Sequence, residues 1–145
     1  MENSSRLHNP GEMQLVKSLC DLFVKLGVEA SDIGVICTYR YHTDVLRIML
    51  PEGTEVSTID RYQGREKDII ILSFVWTAES GEKKNSDLLS DRKRINVAIT
   101  RAKKKLVFVG CIQSLKRYPT ISSLITAIPN DSLTVVPRSF DFSTI

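Results

Sequence analysis

The run Ile69-Ile70-Ile71-Leu72-Ser73-Phe74-Val75-Trp76 constrains this chain more than any other feature, because Ser73 is its one polar side chain. A segment this short and this apolar reads as a strand buried on both faces. Burial on both faces requires a covering layer on each side of the sheet. Two further short apolar runs supply sheet neighbours: Asp32-Ile33-Gly34-Val35-Ile36-Cys37 and Leu106-Val107-Phe108-Val109-Gly110. Helical patterns supply the cover. Leu15, Leu19, Leu22, Phe23 and Leu26 recur at helical spacing and Gly27 ends that helix. A second helix carries Val45, Leu46, Ile48, Met49 and Leu50, and Pro51 stops it. Strand, polar turn, helix, strand is the grammar of a parallel sheet. The predicted class is α/β, a mostly parallel sheet with helices on both faces.

The remaining elements follow the same signals. Asn9-Pro10-Gly11-Glu12 predicts a helix start, with Asn9 as cap and Glu12 in the capping-box position. Residues 77–90 read as a flexible loop. A helix is predicted from Ser90 or Asp91, with Ile95, Ala98, Ile99 and Ala102 as its apolar face and Lys103-Lys104-Lys105 at its C-terminus. Leu115, Ile121, Leu124, Ile125 and Ile128 predict helical packing broken by Pro119, and Leu133-Thr134-Val135-Val136 an edge strand. The predicted organisation is a disordered start over 1–8, one domain over 9–137 and a tail over 138–145.

Charge and cysteine content narrow the function classes. The formal net charge is only +3, so bulk charge does not argue for nucleic acid. Its distribution says more, because Arg92-Lys93-Arg94 and Arg101-Ala102-Lys103-Lys104-Lys105 gather it in one region. The plainer alternative for the lysines is a solvated helix end. Cys20, Cys37 and Cys111 lack metal-ligand spacing and read as small buried residues of a reducing compartment. No run approaches membrane-spanning length, and the N-terminus does not read as a signal peptide.

The chemistry concentrates in Ser57-Thr58-Ile59-Asp60-Arg61-Tyr62-Gln63-Gly64-Arg65-Glu66-Lys67-Asp68, a polar insert after Glu55-Val56 and before the buried strand. A loop held between strands is a place for function. Gly64 permits close backbone approach, and Gln63, Arg65 and Glu66 offer donors and acceptors. A charged surface turn is the alternative. In parallel sheets ligands lie outside the carboxyl ends of strands, which places Tyr39, Arg40, Asp60 and Gln63 at one rim. Arg101, on a rigid helix and on nearly the same side as Arg94, can be aimed at a phosphate as a permanently charged two-toothed donor. Alternatively it pairs with a carboxylate such as Asp60 or Glu66. No nucleophile with a partner base stands out. His8 lies in the predicted disordered start and His42 is isolated. No Gly-x-x-x-x-Gly-Lys-Ser/Thr phosphate loop occurs, and no Asp-Glu pair follows a strand to hold magnesium.

Three segments together resemble a known family. Ile33 to Arg40 is similar to helicase motif IV, Ser57 to Asp68 to motif V, and Arg92 to Lys103 to motif VI. Their order and spacing resemble the second, C-terminal RecA-like domain of superfamily 1 helicases of the nonsense-mediated-decay helicase type. The sub-pattern resembles the eukaryotic DNA replication ATP-dependent helicase/nuclease family. The similarity runs from about Asn9 to Ile128, and the strings at motifs V and VI are the specific ones. Thr38 and His42 depart from the family's common proline and glutamine.

The resemblance implies roles by position. Arg101 corresponds to the motif VI arginine finger. Gln63, Gly64, Arg65, Glu66, Tyr39, Arg40 and Arg94 would lie at the nucleotide, and Thr58, Asn96 and Thr100 at the nucleic acid. It implies ATP, with magnesium supplied by a first RecA-like domain, single-stranded nucleic acid (DNA by family) as partner, no membrane, and a nuclear location. No metal site is expected in this chain. The first domain's phosphate loop is absent from the sequence, so the expectation is half of a motor, inactive alone: a fragment, a truncated product or one piece of a split protein. An inert module that binds single-stranded nucleic acid or a partner, or a piece of an RNA helicase, is the alternative.

Overall fold

The computed structural model describes residues 10–37, 40–62, 66–74, 92–110 and 119–127. The chain runs α1 (Pro10–Lys25), a 3-10 turn (Ala30–Asp32), β1 (Ile33–Cys37), α2 (Arg40–Met49) and β2 (Glu55–Thr58). A second 3-10 turn (Ile59–Arg61), β3 (Lys67–Ser73), α3 (Arg92–Ile99), β4 (Ala102–Val109) and α4 (Pro119–Ala127) follow. Among the described residues the strands form one sheet in the order β2-β1-β3-β4, with every neighbouring pair parallel. The predicted α/β class is what the backbone adopts, and the fold is RecA-like.

Alternation along the strands sorts side chains into two cores. Ile33, Val35 and Cys37 of β1 and Ile69 and Ile71 of β3 face α1 and α2, meeting Met13, Val16, Cys20, Leu46 and Leu50. Ile36, Ile70 and Leu72 face the other way, into a core with Ile95 and Ala98 of α3, Ile121 and Ile125 of α4, and Ile59 and Tyr62. A strand covered on both sides has no polar positions to show, which explains the unbroken apolar run.

The connection from β2 to β3 must pass over β1, because β1 lies between them. Tyr62 makes that crossing fit. It is 1% exposed, and a Cβ built on Gly34 would collide with its hydroxyl and lie 3.0 Å from Ile70 Cδ1. Gly34 is therefore the seat for a tyrosine. Elsewhere Gly27 (φ 104°) and Gly53 (φ 101°) take left-handed turns after α1 and α2.

Several expectations are corrected. The helix predicted to reach Lys105 ends at Ile99, and β4 begins at Ala102. Arg101 therefore sits in the turn between them, and Lys103, Lys104 and Lys105 lie on a strand. The cause is tertiary: β3 offers a full row of backbone partners, and pairing with them outweighs the local character of a lysine run. The pairing is bulged. Lys67 opposes Ala102 and Ile69 opposes Lys105, so Lys103 and Lys104 together face Asp68, at 3.9 and 3.5 Å. Ser57 and Thr58 belong to β2, and Lys67 and Asp68 to β3, so the polar insert is shorter than its composition suggested. Pro119 opens α4, where its missing N–H costs nothing. Glu12 turns to the sheet, accepting a buried 2.6 Å hydrogen bond from the Ser73 hydroxyl. The predicted loop at 77–90, edge strand at 133–136 and termini lie outside the described residues.

Burial pushes the Cys20 thiol up to about 12, with Asp21 adding to the rise, and raises Cys37 well above its ordinary value of 9.0. Unfolded thiols ionise near 9.0 while the native ones stay protonated, so the unfolded state holds fewer protons above that pH. Stability from these cysteines should be complete below pH 9 and decline as pH rises from 9 toward 12. Urea unfolding of wild type and Cys20→Ala across that range should show a shallower alkaline loss in the variant. Gly34→Ala should lower unfolding free energy by about 1–3 kcal/mol through overpacking. Combined with Tyr62→Phe, the loss should be smaller than the sum of the two, as a double-mutant cycle in urea would read.

Candidate functional site

Parallel strands give the sheet two chemically different ends. At the carboxyl end, Thr58, Cys37, Ser73 and Val109 share one row across all four strands. At the amino end, Lys67 pairs with Ala102. At about 3.3 Å per residue, the length of β3 separates the ends by roughly 20 Å.

The candidate residues divide between these ends. Thr58 closes β2 and is half-buried on the carboxyl row, where the backbone of Arg40 opens α2 just past β1 and that of Asp60 lies just past β2. Exposed Glu66, immediately before β3, and Arg101, immediately before β4, lie at the amino end. The structure thus brings Glu66 and Arg101 to one edge and separates them from Thr58 and Arg40. Arg94 and Asn96 are exposed on α3, and exposed Thr100 stands beside Arg101 in the turn. Tyr39, Gln63, Gly64 and Arg65 lie outside the described residues.

Arg101 is fixed through its backbone and its side chain. Its N–H donates to the Ala98 carbonyl at 3.2 Å, and its own carbonyl accepts the Lys67 N–H at 3.0 Å. Its Nε donates to the Val97 carbonyl at 3.2 Å and its Nη2 to the Thr100 hydroxyl at 3.3 Å. A guanidinium on the last carbonyls of a helix satisfies acceptors that have no intrahelical donor and suits the helix dipole. Among the described residues no carboxylate pairs with Arg101, so neither Glu66 nor another described acid neutralises it.

Lys67, which the sequence did not single out, braces this edge. Its backbone holds Arg101, while its ammonium donates to the Ser31 carbonyl at 2.7 Å and lies 3.4 Å from Glu55 Oε1. With both side chains at most 20% exposed, the pair is sheltered enough to hold β2, β1 and β3 together at their amino ends. A lysine among polar neighbours carries no sequence signal of such a brace.

A parallel sheet covered by helices on both faces is the architecture of a RecA-like lobe. A protein-family profile described as AAA domain matches residues 1–113. The DNA replication ATP-dependent helicase/nuclease DNA2 of Bos taurus is 43% identical over 128 residues, covering 86% of this chain and 12% of that protein. Its Homo sapiens counterpart is 40% identical over 130 residues, covering 88% of this chain and 12% of the relative. The DNA replication ATP-dependent helicase/nuclease JHS1 of Arabidopsis thaliana is 38% identical over 131 residues, with 90% and 10% covered. The chain belongs to this AAA domain family, as a C-terminal RecA-like domain of the superfamily 1 helicase type. It spans about a tenth of the length of these curated relatives.

Replacing Lys67 by Met removes the ammonium but keeps the stem. The variant should lose about 1–3 kcal/mol of stability. Its residue-67 amide, the donor to Arg101, should exchange with deuterium faster by hydrogen-exchange NMR.

Proposed function

We propose that residues 9–137 act as the second motor lobe of an ATP-dependent helicase that works on DNA in replication, in the nucleus. The observation that carries this reading is Arg101, held in a braced turn with no described carboxylate partner. Helicase/nuclease relatives named as ATP-dependent and as acting in DNA replication support the substrate classes. ATP binds between this lobe and a first RecA-like lobe. That other lobe supplies the phosphate loop and holds magnesium. Among the described residues of this chain, no cluster of three potential metal ligands occurs.

In this reading Arg101 places a fixed positive charge against the γ-phosphate, where charge spreads during transfer. Glu66, at the same edge, together with Gln63, Gly64 and Arg65, faces the nucleotide. Thr58, on the carboxyl row, contacts the nucleic-acid backbone. The Ile59–Glu66 connection joins these two ends by way of Tyr62 over Gly34. A change at the nucleotide edge can then pull on the strand-binding edge, and closure and opening of the cleft step the strand along. Placing Arg94 at the nucleotide, and Asn96 and Thr100 at the nucleic acid, belongs to the same proposal by family position. Arg40, by contrast, fits the carboxyl end better than the nucleotide edge, because its backbone lies there, while Tyr39 is placed at the nucleotide by family position alone.

The purified chain should hydrolyse no ATP, with or without single-stranded DNA. In a protein carrying both lobes, ATPase should appear and be stimulated by single-stranded DNA. Arg101→Ala should then lower kcat about 10³-fold or more while leaving strand binding intact. Robust turnover by the isolated chain, or an unchanged rate in the Arg101→Ala protein, would overturn the reading. Stimulation by RNA and not DNA would reassign the strand.

A further inference from the structure

The turn at Arg101 contains a closed hydrogen-bond network that has a consequence for how the arginine is aimed. The Thr100 hydroxyl donates to the Val97 carbonyl at 3.0 Å. The same hydroxyl oxygen accepts from Arg101 Nη2 at 3.3 Å, and Arg101 Nε donates to the same Val97 carbonyl at 3.2 Å. A guanidinium has five N–H donors in a rigid plane and two edges that can grip an oxyanion with two parallel bonds. Here the side edge, Nε with Nη2, is occupied by Val97 and Thr100. Among the described residues nothing occupies the two N–H groups of Nη1 or the second of Nη2, and one N–H of Nη1 with that of Nη2 forms the end edge. The plane of the guanidinium is thereby fixed against the last turn of α3.

We propose that Thr100 is a positioning residue for Arg101, whose hydroxyl fixes the guanidinium so that its end edge meets the nucleotide phosphate. The proposal rests on the arginine-finger reading above and deepens it. It replaces the nucleic-acid contact that family position alone gives Thr100, because exposed Thr100 stands at the amino end of the sheet, away from the row of Thr58. Preorganisation of this kind raises turnover because the donor need not be ordered as charge develops. A serine retains the donor and acceptor; a valine retains the shape and loses both.

The test has two arms. In the 15N-labelled chain, the Arg101 Nε–H resonance is assigned by its loss in Arg101→Lys. Its exchange with water should be slow in wild type and Thr100→Ser, and roughly fivefold or more faster in Thr100→Val. Backbone amide shifts distant from the turn should stay unchanged. In the two-lobe protein, Thr100→Val should lower kcat about fivefold or more with little change in KM for ATP, and Thr100→Ser should restore it. Unchanged Nε–H exchange in Thr100→Val would overturn the network. Faster exchange with unchanged kcat would overturn the positioning role. The first arm reads the network without ATP, so it stands apart from the Arg101→Ala measurement that judges the function itself.

Discussion

The structure depends on burying β3 on both faces between two parallel neighbours. Ile69 and Ile71 point into the core under α1 and α2, while Ile70 and Leu72 point into the core under α3 and α4. Each fully buried isoleucine or leucine contributes about 1.5–3 kcal/mol relative to exposure. The central strand therefore anchors both layers at once. It also fixes what surrounds it. β1 must be apolar throughout, β4 must accept pairing even where it carries lysines, and the β2–β3 connection must cross over β1.

That crossing separates the candidate residues between the two ends of the sheet. One edge carries Thr58 at the carboxyl row; the other carries Glu66 and Arg101 beside Lys67. The two edges are joined by one short connection whose Tyr62 is seated on Gly34. Tyr62 ties the start of that connection into a well-packed core, which transmits displacement instead of absorbing it. The Lys67 brace, sheltered against Glu55 and Ser31, holds the arginine's edge to the neighbouring strands.

Much of this was legible in the sequence, for reasons that differ by element. The strands at Ile33–Cys37 and Ile69–Ser73 announce themselves because two-sided burial leaves an apolar run. Gly27 and Pro51 mark helix ends through backbone chemistry alone. The start of β4 was not legible: Ala102-Lys103-Lys104-Lys105 has no strand signature, and only the partner row on β3 makes it one. The split of the candidate residues between two edges was hidden for a related reason. Order along the chain does not reveal that the connection after Thr58 runs back to the amino end of the sheet. The sequence reading drew nothing from Gly34; only the fold shows that this strand glycine makes room for Tyr62.

In the proposed function the nucleotide meets this lobe at its amino edge, where Arg101 stands. A crystal structure of the two-lobe protein with ADP and a fluoroaluminate mimic of the transferring phosphate tests it most directly. The end edge of the Arg101 guanidinium should lie within hydrogen-bond distance of the mimic, with Lys67 still holding the Arg101 carbonyl. A mimic seated instead at the carboxyl row, beside Thr58 and the start of α2, would contradict it.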